Sequence, residues 1–368
     1  MLKLVIFINQ YKRSETRNVK RIRIYGAGTA LSSIIHGEVM DQDWKKNAPE
    51  GAPKPQRTEW AFLKIKDADG QELGKTRVSI PFVSGNSFRG IQRRLINAHT
   101  NAVLGTDIVD LFPKASDGRK VMFSLNNGGL SPKGYSAIPA KTNDYIQAKK
   151  NIPVLAALGT VFGGHHFDGD ANIDGLLPYL NEIKFRYEKD FHPELIKALE
   201  KESMPLSEFL GYDYNVINHT PSSYAIRYTR RAEVGCDDEE EKDATKDPEA
   251  MIYGMEYIPM GTTLAHSGTM VTNHDGAAIA FRAMYALMME HGIVGGMSGR
   301  GHGIIDFNFY IKENGQIEEL IPEKEIALYD DYILAHKDEI LTTIQKMPTI
   351  FKTVKKVKEK SKTQEGIA

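Results

Sequence analysis

The sequence has little cysteine, no long apolar run and no excess of charge of either sign. Its one cysteine, Cys236, excludes an internal disulfide and a zinc site built from several thiolates. No run of about 18 apolar residues occurs, so we expect no transmembrane helix. A single cysteine and 41% hydrophobic residues predict a protein of the reducing cytoplasm with a sizeable core.

The net charge of -1 does not by itself indicate a nucleic-acid-binding protein, but the charges are unevenly distributed. Separate patches suit a protein that binds RNA on one face and neighbouring subunits on another, and they also suit an ordinary solvated surface. One acidic run covers residues 237–241. The basic clusters are Lys12, Arg13, Arg17, Lys20, Arg21 and Arg23; Arg89, Arg93 and Arg94; and Arg227, Arg230 and Arg231.

Hydrophobic periodicity predicts interspersed strands and helices, which favours an α+β or ferredoxin-like antiparallel sheet with insertions. A capped helix is predicted to begin at Asn86 or Ser87. Other helices are predicted over 275–291, over 323–346 and through most of 143–210, and loops over 26–58, 126–139 and 292–303. Strands are predicted at 2–8, 19–25, 59–66, 77–83, 224–233, 253–260, 262–272 and 304–311.

The segment IPFVSGNSFRGIQRRLI, residues 80–96, combines a strand, a tight glycine turn and a helix start. Free backbone N–H groups at such a start attract phosphate, and Arg89 adds a positive charge beside them. Arg93 follows one turn later. An ordinary strand-turn-helix explains this segment equally well.

The segment GIVGGMSGRGHGIIDFNF, residues 292–309, is a glycine-rich loop followed by a strand. Successive N–H groups could hold a phosphate, to which Ser298 and Arg300 could hydrogen-bond. It is neither a P-loop, since no Gly-Lys-Ser/Thr follows, nor a dinucleotide fingerprint, since no helix follows. A small-ligand enzyme that binds a nucleotide here is a weaker hypothesis.

A third segment, YGMEYIPMGTTL, residues 253–264, is predicted to form two strands around a Pro-Met-Gly turn and alone indicates a plain hairpin. Together, in this order, the three segments resemble the RAMP superfamily of CRISPR proteins. The matching elements are the helix start at residues 85–90 with Arg93, the turn at 258–262 and the late loop and strand at 295–309. A looser match is the Leu-x-x-x-Phe-Gly element at 158–163.

Within that superfamily the chain is most similar to the backbone subunit, the large repeated one, and in particular to that of type IV systems. The resemblance implies an RRM-like palm with an inserted helical lobe and a thumb-like loop. It implies a subunit, not an enzyme, that polymerises head to tail along guide RNA (crRNA) in an antiviral or anti-plasmid ribonucleoprotein complex. Other effector subunits and a target nucleic acid, base-paired with the guide, are the further partners implied, and no cofactor or metal is expected.

By the same resemblance, residues 1–368 form one RAMP domain. Its palm is expected at 1–135 and 211–320, its helical insertion at 140–210, its thumb-like acidic loop at 234–252 and a flexible Lys-rich tail at 350–368. The residues expected to contact RNA are Asn86, Ser87, Arg89, Arg93, Arg230, Arg231, Ser298 and Arg300.

An alternative comes from type III backbone subunits, which cut target RNA with a loop Asp. Asp41 and Asp43 lie in a comparable loop and are weak catalytic candidates for a metal-dependent endoribonuclease. The alternating acids from Asp168 to Asp174 mimic a calcium loop. However, Ile173 and Tyr179 stand where the turn glycine and the bidentate glutamate belong, so no metal is expected there.

Overall fold

The computed structural model describes most of the 368-residue chain as a mixture of helices and antiparallel sheet, which confirms the predicted α+β class. None of the described helices is both long and apolar enough to cross a membrane. The described residues are 19–37, 56–66, 72–126, 143–159, 169–181, 183–188, 191–205, 225–230 and 251–352.

The described residues form ten strands and nine α-helices. The strands are β1 (Lys20–Ala30), β2 (Thr58–Lys66), β3 (Glu72–Pro81), β4 (Ala171–Ile173), β5 (Leu177–Pro178), β6 (Ala225–Arg230), β7 (Met251–Glu256), β8 (Thr263–Thr272), β9 (Ile305–Glu313) and β10 (Gln316–Glu319). The helices are α1 (Gly85–Leu104), α2 (Ala115–Asn126), α3 (Asn143–Asn151), α4 (Pro153–Leu158), α5 (Phe185–Glu188), α6 (Pro193–Glu200), α7 (Asp275–His291), α8 (Pro322–Ala335) and α9 (Lys337–Lys352).

The central sheet has the strand order β10-β9-β1-β8-β4, and its neighbours are antiparallel. In chain order its main elements are β1, α1, β4, β8, α7 and β9, which is the βαββαβ succession of a ferredoxin-like sheet. This order fits the predicted palm. Two hairpins, β2-β3 and β6-β7, stand outside this sheet.

The two faces of the sheet are covered differently. Ile22 and Ile24 of β1 point into the main core, where α1 and α7 pack. On the other face, Tyr25 is fully buried because Phe191, just before α6, stacks on its ring at 5.3 Å. Since alternate residues of a strand face opposite sides, β1 joins two hydrophobic layers.

Helix α7 matches its prediction residue for residue, and its many small buried side chains let it lie close against its neighbours. Strand β9 also agrees with its alternating pattern. The predicted C-terminal helix is instead two helices, α8 and α9, which meet at His336.

Three strand predictions are wrong. β1 continues to Ala30, inside a predicted loop, because both of its edges are paired. β4 and β5 lie within the segment predicted to be mainly helical, and both pair with β8. The hairpin that residues 253–264 alone indicate does not form, because β7 pairs with β6 while β8 pairs with β1. Each error concerns pairing between residues that are distant in sequence.

Some predictions fall outside the described residues. They include the strand at 2–8, nearly all of the loop at 126–139, most of the Leu-x-x-x-Phe-Gly element at 158–163, nearly all of the thumb-like loop at 234–252, and the tail beyond residue 352. The placement of the remaining domain boundaries stays a prediction.

A buried histidine makes the stability of the core dependent on pH. His266 of β8 is fully buried, packs on Phe88 at 4.6 Å between ring centroids, and its Nε2 lies 2.8 Å from the Tyr285 hydroxyl. Burial lowers its pKa from 6.5 to about 4, with a smaller opposite effect from the Gly175 carbonyl. The folded state therefore holds the neutral ring.

We expect the free energy of unfolding to decrease as the pH falls from about 6.5 towards about 4, because of His266. Between these pH values His266 is protonated in the unfolded chain and neutral in the folded chain. The free energy of unfolding therefore falls by about 1.4 kcal/mol for each pH unit. Chemical denaturation of the wild type and of His266→Gln across this range measures the slope. The variant should show a shallower slope by that amount, and equal slopes would contradict the assignment.

Candidate nucleic-acid interface

The start of α1 presents hydrogen-bond donors to solvent. Ser84 is the N-cap, and its Oγ accepts a hydrogen bond from Ser87 N at 3.3 Å, so the predicted cap at Asn86 or Ser87 is wrong by two or three residues. Asn86 is exposed, and its Oδ1 accepts from the Arg89 guanidinium at 2.8 Å. The first turn contains no acidic residue, so the positive end of the helix is not neutralised from within.

Two further basic side chains contact the same cap. His36 Nε2 lies 3.1 Å from Ser84 Oγ, and Arg57 donates to that oxygen at 3.3 Å. Neither residue was predicted from the sequence, because the chain around them carries no periodic pattern. Ser84 therefore joins the helix start to the segment 33–37.

The glycine-rich loop between α7 and β9 packs against this segment from the other side. Gly296 N donates to Ile35 O at 2.7 Å, and Gly303 N donates to Ser33 O at 2.9 Å. Gly295 and Gly303 have φ values of +79° and +87°, and a Cβ at either would collide with a backbone carbonyl oxygen. Glycine is thus required at the base of the loop, whose tip exposes Ser298 and Arg300.

The helix start and the loop are far apart in sequence, yet both bond to residues 33–37. Both therefore attach to the short segment that follows β1. We call the residues around this segment the candidate interface. Its members are His36, Arg57, Asn86, Ser87, Arg89, Ser298 and Arg300.

The third sequence motif is bonded to the same segment after β1. Ile258 and Ile34 exchange two backbone hydrogen bonds of 2.9 Å, and Gly261 N donates to Ala30 O. Glu256, at the end of β7, accepts from Gln56 N at 2.9 Å. Burial raises the pKa of Glu256, and the hydrogen bond from Gln56 partly offsets this rise. The motif that resembled a plain hairpin therefore holds residues 30–37 in place.

Arg93 does not contribute to the candidate interface. It is only 3% exposed, and its guanidinium donates to Leu158 O and Gly159 O at 3.2 and 2.8 Å, where α4 ends. Burial, and to a lesser extent the positive charge of Arg89, lowers its pKa to about 10. The expectation that Arg93 contacts RNA is corrected: it caps free carbonyls at a helix C-terminus.

The remaining predicted residues are not part of the described surface. Arg230 ends β6, and only its backbone is described. Arg231, Asp41 and Asp43 lie outside the described residues, so their roles stay predictions.

Asp170 and Asp174 of the calcium-like segment bind protein groups, and Asp168 lies outside the described residues. Asp170 contacts Lys149 Nζ at 3.0 Å and accepts from Thr272 Oγ1 at 2.6 Å, while Asp174 accepts from Ser267 Oγ at 2.8 Å. Within the described parts of the chain, no three His, Cys, Asp or Glu side chains meet as a metal site would require.

No family model and no curated protein matches the chain. Among solved structures, a chain of a "Type IV-B CRISPR Complex" is similar, with 20% identity and a TM-score of 0.44. The match covers 78% of this chain and 90% of that one.

The contacts of the two arginines of α1 predict unequal losses of stability. Replacing Arg93 with Met should lower the free energy of unfolding by about 1–3 kcal/mol, because two carbonyl oxygens lose their donor inside the protein. Arg89→Ala is the matched control and should change it by less than about 0.5 kcal/mol, since its contact is at the surface. Urea denaturation of both variants measures this difference, and equal losses would contradict the structural role of Arg93.

Proposed function

We propose that this chain is a non-catalytic, RNA-binding backbone subunit of a CRISPR ribonucleoprotein. One observation carries the proposal: the two motifs that the resemblance assigns to RNA, the start of α1 and the loop at 295–303, bond to the same short segment. Motifs far apart in sequence are thus bonded to one short segment, which supports a common ligand.

The chemistry of the candidate interface suits the sugar-phosphate backbone. It offers the amides of a helix start, the hydroxyls of Ser87 and Ser298, and the guanidinium groups of Arg57, Arg89 and Arg300. Most of these groups donate hydrogen bonds or carry positive charge, which matches phosphate and the 2′-hydroxyl better than base edges. Binding should therefore be largely independent of RNA sequence.

Electrostatics also favours an anion at this place. Arg89 is close enough to lower the pKa of buried Arg93, so the two cations repel each other. Burial lowers the pKa of Arg89 itself. A phosphate near Arg89 would relieve both effects, since an opposite charge stabilises each cation.

Sequence specificity would then come from base pairing between guide and target, as in other guided systems. Copies of the chain would line up head to tail along one guide RNA, beside other effector subunits. In this arrangement the subunit holds and shapes the RNA and leaves its bases available.

Removing Arg89 should weaken RNA binding without unfolding the protein. We expect Arg89→Ala to raise the Kd of nuclease-treated protein for a fluorescent single-stranded RNA about tenfold, from the loss of a charged hydrogen bond. The salt dependence should fall by about 0.7 log units per lost phosphate contact. Fluorescence anisotropy at several salt concentrations measures both. The control is Lys197→Ala on α6, at an exposed position away from the interface. Unchanged affinity and slope for Arg89→Ala would refute the assignment.

We further propose that the chain does not cut RNA. A labelled RNA complementary to the bound guide should stay intact during incubation with magnesium or manganese, as read on a denaturing gel. Fragments at regular spacing that vanish in an Asp41→Asn or Asp43→Asn variant would establish the endoribonuclease alternative instead.

A further inference from the structure

Helix α8 packs on the rest of the molecule with one face and exposes the other. Its buried face is Glu325, Tyr329 and Ile333, which follow one another at intervals of four residues and are at most 2% exposed. Glu325 accepts a hydrogen bond from Arg282 of α7 at 2.8 Å. The Tyr329 hydroxyl lies 2.7 Å from Thr100 Oγ1 of α1. These contacts fix which side of α8 faces the solvent.

The exposed side of α8 is partly apolar. Ile321, the residue directly before the helix, is 49% exposed, and Leu328 is 44% exposed. Leu334 flanks them and is 54% exposed. Large apolar side chains aligned on one helix face favour contact with another protein surface over contact with water.

The exposed residues form a stripe that is complementary to itself. They are three or four residues apart, which is the spacing of one helix face, and they alternate between apolar and charged. Lys324 and Asp331 lie about one turn before and after Leu328, while Ile321 and Ala335 lie about two turns before and after it. We call these five residues the α8 stripe: Ile321, Lys324, Leu328, Asp331 and Ala335.

Two copies of the α8 stripe match only when the helices run antiparallel. With Leu328 at the centre, Ile321 of each copy then meets Ala335 of the other, and Lys324 of each copy meets Asp331 of the other. A parallel arrangement would place lysine on lysine and aspartate on aspartate, which repel each other. Charge complementarity therefore identifies both the occupant, a second copy of the chain, and its direction.

The charged residues of the stripe are available for such a pairing. Asp331 is exposed. Lys324 Nζ is 3.4 Å from Glu318 Oε2, but both side chains are about half exposed, at 48% and 51%. An ion pair this accessible to water contributes little, so Lys324 can exchange its partner at small cost.

The stripe is also clear of the candidate interface. The contacts of α8 with α1 are made by His99, whose Nε2 is 2.6 Å from Asp330 Oδ1, and by Thr100. His99 lies ten residues after Arg89 along α1, which is about 15 Å at about 1.5 Å per residue. A partner on α8 therefore leaves the start of α1 open.

We propose that two copies of the chain associate through antiparallel contact of their α8 stripes. The contact uses the same surface on both copies, so it is isologous and ends with the pair, unlike a head-to-tail contact, which repeats. It does not depend on RNA. If copies do line up along a guide, this contact would join one row to another.

The size of the stripe predicts weak association. α8 with Ile321 has a length of about 22 Å, so the stripe covers only a few hundred Å² on each copy, compared with roughly 800 Å² per partner in a stable interface. We expect a Kd on the order of 100 µM for nuclease-treated protein. Sedimentation equilibrium measures it, and a wild type that stays monomeric up to about 1 mM would overturn the inference and assign the stripe to a different protein.

Cysteine placement tests the centre of the contact. In a Cys236→Ser background, Leu328→Cys brings two thiols together at the two-fold axis, so a short bismaleimide should give a dimer and nothing larger. Ile146→Cys on α3 is the matched control, because Ile146 is 45% exposed compared with 44% for Leu328. We expect at least tenfold more dimer with Leu328→Cys, and equal yields would overturn the inference.

The ends of the stripe test the direction. In an antiparallel pair, the two copies of residue 321 are about 21 Å apart, and so are the two copies of residue 335. Ile321→Cys and Ala335→Cys should therefore each give little dimer alone and a cross-linked heterodimer when mixed. Dimers from each variant alone, with none gained on mixing, would show a parallel pair and overturn the inference.

Charge exchange tests the pairing without a cross-linker. Lys324→Glu and Asp331→Lys each turn two attractive pairs into repulsive ones, so each alone should raise the Kd about tenfold. An equal mixture should regain the wild-type Kd, since every acid then faces a lysine. Lys197→Glu, at an exposed position of α6, is the control and should leave the Kd unchanged. A mixture no tighter than its components would overturn the inference.

One further variant separates this contact from the proposed function. Arg89→Ala in the Leu328→Cys, Cys236→Ser background should bind RNA more weakly and give the same yield of dimer. Failure of the RNA measurement alone would count against the proposed function and leave the α8 contact standing. A dimer that disappears with Arg89→Ala would mean that residual RNA holds the copies together, which overturns the α8 contact.

Discussion

The pairing of β1 along both edges is the constraint on which the rest of the structure depends. β8 pairs with it from Lys20 to Thr29 and β9 from Ile22 to Ala30, so three distant segments share one register. A shift by one residue would turn every side chain of β1 to the opposite face. The same register buries Ile22 and Ile24 in the main core and turns Arg21 and Arg23 to the opposite face. It also fixes where the chain leaves β1 to form the candidate interface.

Elements with a long internal pattern could be predicted from the sequence, and elements defined by their partners could not. In α7 and β9 the apolar residues repeat over enough positions to predict a helix and a strand. β4 and β5 have only three and two residues, too few for a pattern, and exist because β8 offers a free edge. The sequence of β7 and β8 is typical of a hairpin, but in the structure β8 pairs with β1.

The same distinction explains which site residues were found. Asn86, Ser87, Arg89, Ser298 and Arg300 belong to short motifs with a local chemical meaning, and the structure places them in two segments joined by residues 33–37. Arg93 has the right spacing for a surface role, yet the end of α4 covers it, which only tertiary packing decides. His36 and Arg57 show the reverse case, since only the folded chain brings them to Ser84.

A net charge of -1 is compatible with two basic surfaces because their negative counterparts lie elsewhere in the chain. The two surfaces differ in what accompanies the charge. The candidate interface adds helix and loop amides, which suit phosphate oxygens, whereas the surface around Arg21, Arg23 and Lys312 adds the side chains of Val19 and Val271. Charge attracts any polyanion to both surfaces, so discrimination must come from these neutral neighbours. The proposed RNA contact would therefore depend on the amides and hydroxyls that accompany the charges of the candidate interface.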